Sequence, residues 1–270
     1  MRLCAVLFLV SCQPAATPLD ALASLRTIEV AEDAPAPARV TVFMARGRLK
    51  LAPGGTHTVS GTVRTNLPAF EPVVERTRVG LEIAQRTRDL ERDWPRGARG
   101  EWRLALDKTA SDLTLLVHTV ETELDLGGLS LRSLRVRGDA GAVMIDWSRR
   151  NTRSMTLDIA TYVGPIALRQ LGRSGASKVH IRNMVGPIDI DFGPRIANDV
   201  EVRIEGMTSP VRVIVPKSTS ARAFVNSDMG IVEAPGWIGE GKERRIGSGR
   251  PSVTLHIRVA QGPVELAVGK

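Results

Sequence analysis

Asp189 and Asp191 are the residues of this chain best placed to do chemistry. They stand two apart in Pro187-Ile188-Asp189-Ile190-Asp191-Phe192, and a strand puts residues i and i+2 on one face. Two carboxyls side by side could divide the work of general acid and general base in cleaving a polysaccharide. The same alternation sends Ile188, Ile190 and Phe192 inward and both acids outward, opposite Arg169 and Arg212 of neighbouring segments. We read the pair as part of a solvent-facing charge ladder and keep a carbohydrate-active enzyme, with Asp189 and Asp191 as its acids, as the alternative. The four histidines, His57, His118, His180 and His256, show no metal-ligand spacing. Gly239, Gly241, Gly247 and Gly249 lack the Gly-Lys-Ser/Thr ending of a phosphate-binding loop. No nucleophile elbow occurs. No catalytic, cofactor-binding or metal-ligating residue is assigned, and no cofactor is expected.

Cysteine chemistry is confined to the start of the chain. The two cysteines are Cys4 and Cys12, so no disulfide or Cys-ligated metal can form in the remainder. The opening has one cation, Arg2, then the apolar run Leu3 to Val10, which reads as a secretory signal. Leu9-Val10-Ser11-Cys12 resembles the lipobox of bacterial lipoproteins at all four positions. The resemblance implies cleavage before Cys12, acylation of that cysteine (palmitate among the acyl groups) and a bilayer partner held through lipid. Two or three acyl chains hold a domain on a membrane where one is marginal. The leader of residues 1–11 is shorter than the usual 15–30 or so residues, as it would be if the start codon lay upstream. Gln13, where Asp would retain a lipoprotein at the inner membrane, resembles the outer-membrane signal of diderm bacteria.

The elements that must position the acids follow from composition and period. The chain has 270 residues, 43% hydrophobic but only 4% aromatic, so a core must be built of Val, Ile and Leu. First strands with alternating apolar residues begin at Leu113, Leu134, Met155, Val179 and Val200, at spacings of 21, 21, 24 and 21 residues. The corners repeat as well: Gly141-Ala142-Val143, Gly164-Pro165-Ile166, Gly186-Pro187-Ile188, Ser209-Pro210-Val211 and Gly262-Pro263-Val264, with Met229-Gly230-Ile231-Val232 a looser copy. Short strands of period two, joined by corners every 21–24 residues, are satisfied when each coil stacks on the last. The expected fold is all-β, a single-stranded β-helix whose inward residues form one core. Three residues after each corner's β-branched residue stand Asp125, Asp146, Arg169 and Asp191, and one residue after it Asp189 and Arg212. Their signs mostly alternate from coil to coil, Asp125 beside Asp146 excepted, as in a surface ladder.

The remainder divides simply. Residues 1–11 are the leader, 12–38 a Pro- and Ala-containing tether, and 39–270 the β-helix domain. Within the tether, Leu19–Leu25 could form one or two helical turns and Arg26–Val30 a short strand. Arg86–Arg99 reads as an exposed loop and 235–252 as a mobile insertion.

The run from Leu113 to Val136, above all Leu126-Gly127-Gly128-Leu129-Ser130-Leu131-Arg132-Ser133-Leu134, resembles the toast-rack family, seen also in LiaF-like cell-wall-stress regulators and adhesin-like exported proteins. Gly47-Arg48-Leu49-Lys50-Leu51, Thr62 to Pro68, and Trp102-Arg103-Leu104-Ala105-Leu106 extend the resemblance over about residues 38–215. It implies a β-helix on an envelope surface, without known catalysis. No run of 18 apolar residues is present, unlike the membrane-spanning members, and a lipobox stands instead.

Net charge is +8, from 37 basic and 29 acidic residues. An exported lipoprotein does not meet nucleic acid, and no aromatic residues accompany the basic strands, so nucleic acid is not expected as a partner. Arg135, Arg137, Lys178, Arg182, Arg203 and Arg258 fall on the outer face of the first strands among Asp158, Glu201 and Glu205. That face reads as a solvated surface, or as one drawn to an envelope protein or an anionic envelope polymer.

Overall fold

The computed structural model describes residues 24–87 and 94–269. The leader, Cys12 and most of the expected tether lie outside the described residues, as does part of the charged stretch 86–99. The first six strands are β1 (Arg26–Glu32), β2 (Ala38–Pro53), β3 (Val59–Thr65), β4 (Pro72–Thr77), β5 (Gly80–Gln85) and β6 (Gly100–Leu106). The repeating region holds β7 (Ala110–Asp125), β8 (Ser133–Ala140), β9 (Val143–Asp146), β10 (Met155–Val163), β11 (Ile166–Arg169), β12 (Ala176–Val185), β13 (Ile188–Asp191), β14 (Val200–Thr208) and β15 (Val211–Val215). The last five are β16 (Ser220–Met229), β17 (Val232–Glu233), β18 (Glu243–Ile246), β19 (Ser252–Gln261) and β20 (Val264–Val268). No helix among the described residues is long and apolar enough to cross a membrane.

Each coil contributes one strand to each of two parallel faces, and a loop closes the third side. The first face runs β5, β2, β7, β8, β10, β12, β14, β19, β16. The second runs β6, β2, β7, β9, β11, β13, β15, β20, β17. β2 and β7, 16 residues each, bend through both faces. The all-β solenoid expected from the period is the fold. Val143, Ile145, Leu157, Ile166, Leu168, Ile181, Ile188, Ile190, Val202, Val211, Val213, Leu255 and Leu266 all lie in one core, none more than 2% exposed. Burying each such side chain stabilises the fold by roughly 1.5–3 kcal/mol.

The Gly-Pro corner is built as the sequence pattern requires. Gly141, Gly164 and Gly186 have φ of 120°, 137° and 128°, a region open to glycine. The N–H of each β-branched residue donates across to the next coil's proline carbonyl, as in Ile166 to Pro187 at 2.9 Å and Ile188 to Pro210 at 2.8 Å. Buried Asn183 locks the corner. Its amide donates to the carbonyls of Gly164 and Gly186, both at 3.0 Å, and its Oδ1 accepts from Thr161 Oγ1 at 3.0 Å.

Two expectations about the periphery are corrected. The folded domain takes in residues before 39: β1, over the expected short strand Arg26–Val30, pairs antiparallel with β3 along its whole length and buries Val30. β4 and β5 form a hairpin. The insertion 235–252 contains β18, antiparallel to β16, and Trp237 packs on the core. Stacking also departs from chain order at both ends. The coil of β5 and β6 lies outside that of β2, and the coil of β16 and β17 lies outside that of β19 and β20. An open solenoid end exposes unpaired strand edges. Here β3 and β4 cover the N-terminal edges and β18 covers the C-terminal edge of the first face, all antiparallel. An antiparallel cover needs the chain to reverse at the end, after which it returns and lays its next coil inside.

Candidate binding surfaces

The outward side of the first face carries charge in registered columns. Arg135, Asp158, His180, Arg203 and His256 are successive neighbours. Asp158 pairs with Arg137, lies 3.8 Å from Arg135 and 4.0 Å from His180, whose other ring nitrogen is 3.7 Å from Glu205. Burial works to raise the Asp158 pKa, but the Arg137 hydrogen bond and charge more than offset it, holding the carboxyl below its ordinary range. At Asp112 burial is likewise outweighed, by hydrogen bonds from Ser133, Ser111 and Arg132. A depressed folded pKa contributes stability that is complete above the unfolded value, near 3.9, and is lost as pH falls through the folded one. The melting temperature should therefore hold from neutrality to about pH 5 and fall below about pH 4. A melting temperature that rises on acidification would contradict these pairings.

Asp189 and Asp191 point outward, as the alternation of β13 demands. Asp189 is in register with Arg212, but Arg212 pairs with Glu265, at 3.2 Å. Among the described residues no ion pair joins Asp189 or Asp191 to Arg169 or Arg212. Asp191 Oδ1 instead accepts the Gly193 N–H at 2.7 Å. Asp125 does the same for Gly127 at 2.9 Å and also accepts from Ser148 Oγ at 2.7 Å, while Asp146 accepts the Trp147 N–H at 2.8 Å. Asp125 and Asp146 are neighbours in register; turn donors, rather than alternating cations, stabilise the two like charges. The acids at the ends of the second strands thus cap the following turn. The signal was available in the pattern Asp-Leu-Gly, Asp-Trp-Ser and Asp-Phe-Gly at 125–127, 146–148 and 191–193.

A surface depression of about 400 Å³ touches Asp146, Arg169, Gln170, Asp189 and Asp191. It brings together four of the residues singled out from sequence, but with Asp146 and Asp191 committed to turns. Asn can accept the same backbone bonds, so Asp189→Asn with Asp191→Asn should lower stability by about 1 kcal/mol or less. Urea unfolding measures this; a loss of several kcal/mol would show that the carboxylate charges hold the fold.

Two further surfaces went unread in the sequence. Tyr162, Val163, Met184, Val185 and Met207 are exposed along the Gly-Pro corner, Tyr162 by 60%. They precede the corner on successive coils and so form an apolar ridge. The third, loop side is strongly basic. Lys108, Arg132, Arg149, Arg150 and Arg153 lie on loops of the first coils, and Arg173, Arg195 and Lys217 on those that follow. Only Asp107 and Asp199 oppose them in the same loops. Among the described residues no three His, Cys, Asp or Glu side chains gather where they could hold a metal ion.

Residues 23–169 match the family model for the N-terminal domain of toast_rack, DUF2154. No curated protein matches the chain significantly. Among solved structures the chain is similar to a candidate cell adhesion protein from Clostridium sporogenes, with 18% identity and a TM-score of 0.53, over 91% of this chain and all 100% of that one. It is also similar to candidate adhesins from Bacteroides fragilis (8% identity, TM-score 0.43, 90% of this chain and 97% of that) and Parabacteroides distasonis (10% identity, TM-score 0.39, 90% and 97%). The Clostridium likeness extends the same solenoid architecture beyond residue 169, through the C-terminal coils.

Proposed function

Since the chain belongs to the toast-rack family, we propose that it is a non-catalytic protein of the bacterial envelope, anchored by lipid on Cys12, whose solenoid serves as a binding or scaffolding surface. The observation that carries this reading is the sequence Leu9-Val10-Ser11-Cys12 ahead of a domain rich in exposed surface. Asp146 and Asp191 cap turns, and Asp158 and Glu265 sit in ion pairs across the coils, which leaves Asp189 as the outward acid of the Asp189 and Asp191 pair without such a contact among the described residues. The adhesion role in the description of the Clostridium neighbour fits a surface that works by contact, and the outer membrane is the expected address if the cell is diderm.

The test is Cys12→Ser. The variant should leave the membrane fraction or persist as an uncleaved precursor, and labelling with a radioactive fatty acid should disappear. A Ser variant that still takes up label would overturn the anchor. The enzyme alternative is met by purified protein: cleavage of an envelope polysaccharide that is abolished by the Asp189→Asn, Asp191→Asn double variant would replace this reading.

A further inference from the structure

We propose that the loop side of the solenoid is the surface by which the domain lies against an anionic lipid headgroup plane. Six of the loops that join a second-face strand to the next first-face strand, 107–109, 126–132, 147–154, 170–175, 192–199 and 216–219, hold eight basic residues and two acids; the seventh connection, the end-covering insertion 234–251, adds four basic residues and two acids. The net +6 of the six loops is most of the chain's +8. The cations of the two sheet faces are interspersed with acids: Arg137 pairs with Asp158, Arg212 with Glu265 and Arg48 with Glu121, while Lys178 and Arg258, which form no ion pair among the described residues, stand in register with Glu201 and Glu205. On the loop side Arg149, Arg150, Arg153, Arg195 and Lys217 form no ion pair among the described residues, and only two acids stand in the six loops. This charge asymmetry is a property of the fold rather than of local sequence, because loops 20 or so residues apart are stacked at about 4.8 Å. The six loops make a basic strip on the order of 25 Å long.

The chemistry of the strip selects its partner. No large hydrophobic residue is exposed on any of these six loops; the exposed ones lie along the Gly-Pro corner, on β9 (Met144) and at the two ends. Contact on the loop side is therefore electrostatic, at headgroup level, without side chains inserted among acyl chains. Choosing a membrane over a soluble polyanion rests on the Cys12 anchor proposed above. From Cys12 to Leu25 an extended chain reaches about 45 Å, so an anchored domain stays within contact of the bilayer that holds it. Lipid anchor and basic surface then act as two cooperating signals, and the strip sets which side of the solenoid faces away from the membrane: the Gly-Pro corner with its apolar ridge.

The experiment uses the full chain carrying Cys12→Ser, so that vesicle binding is measured without the anchor and a failure of the lipoprotein reading leaves it unaffected. Sedimentation with phosphatidylcholine vesicles, with and without phosphatidylglycerol, should show binding only to the anionic vesicles, weakening as salt is raised. Each cation near an anionic surface contributes about fivefold to partitioning. Arg149→Gln, Arg150→Gln and Arg153→Gln together should lower it about a hundredfold. Lys178→Gln, Arg203→Gln and Arg258→Gln remove the same charge from the first face and should lower it less than fivefold. Equal losses in the two triple variants would overturn the proposal in favour of net charge alone. Binding to dextran sulfate but not to anionic vesicles would overturn it in favour of a soluble polyanion, and equal binding to neutral vesicles would overturn its electrostatic basis.

Discussion

Gly164→Ala or Gly186→Ala should destabilise the domain by about 3–5 kcal/mol, the larger of two expected effects on the fold. A Cβ at Gly164 would stand 2.1 Å from the carbonyl oxygen of Gly141, and one at Gly186 2.4 Å from that of Gly164. The obstacle in each case is backbone of the adjoining coil, which carries its own ladder of hydrogen bonds and cannot swing aside as a side chain would. Strain at φ of 137° or 128° adds about 1–2 kcal/mol, and displacing a packed neighbour adds about 1–3 kcal/mol. The corner carbonyls would also part from Asn183, which binds both glycines. Urea unfolding of each variant checks this. Gly236→Ala is the comparison: its φ is 81° but its Cβ would meet nothing within 4 Å, so it should cost only the strain, about 1–2 kcal/mol. Equal losses at Gly164 and Gly236 would mean that coil-to-coil approach at the corner is not what excludes a side chain.

Trp147→Ala should cost about 3–5 kcal/mol. Trp147 is completely buried just after β9, where the chain leaves the second face. It is one of the largest side chains, with Trp102, of a core built mainly of Val, Ile and Leu, so its removal leaves a cavity that short coils cannot collapse to fill. Its Nε1 has no hydrogen-bond partner among the described residues, which separates two contributions. Trp147→Phe keeps most of the ring and discards an unsatisfied donor, so it should cost clearly less than Trp147→Ala, within about 1–3 kcal/mol. A phenylalanine variant as unstable as the alanine one would show that the indole N–H holds an interaction essential to the coil.

The solenoid was legible because two independent periods agree. Alternation within strands such as Val179-His180-Ile181 fixes which residues point inward, and the recurrence of Gly-Pro-Ile fixes where each coil turns. Each inward position is buried by its counterpart one coil away, so a local pattern determines a global contact. The crossed ends were not legible. Whether β16 or β19 stacks on β14 leaves the alternation of either strand unchanged, and only the need to cover open edges decides it. The outward acids were placed on the correct face yet given the wrong partners. Register brings Asp189 beside Arg212, but an arginine long enough to choose between neighbours takes Glu265. Asp146 and Asp191 are claimed by donors one and two residues ahead, where no loop need be closed. The basic side escaped notice for the opposite reason. Lys108, Arg150 and Lys217 are far apart along the chain and become one surface only when the loops stack.

The anchored-scaffold account stands or falls most directly on the N-terminus of the mature protein. Protein extracted from membranes by detergent and measured intact by mass spectrometry should begin at Cys12 and carry the added mass of a diacylglyceryl group with its fatty acids. Membrane-extracted protein that begins elsewhere, or whose Cys12 has the mass of an unmodified cysteine, would contradict it.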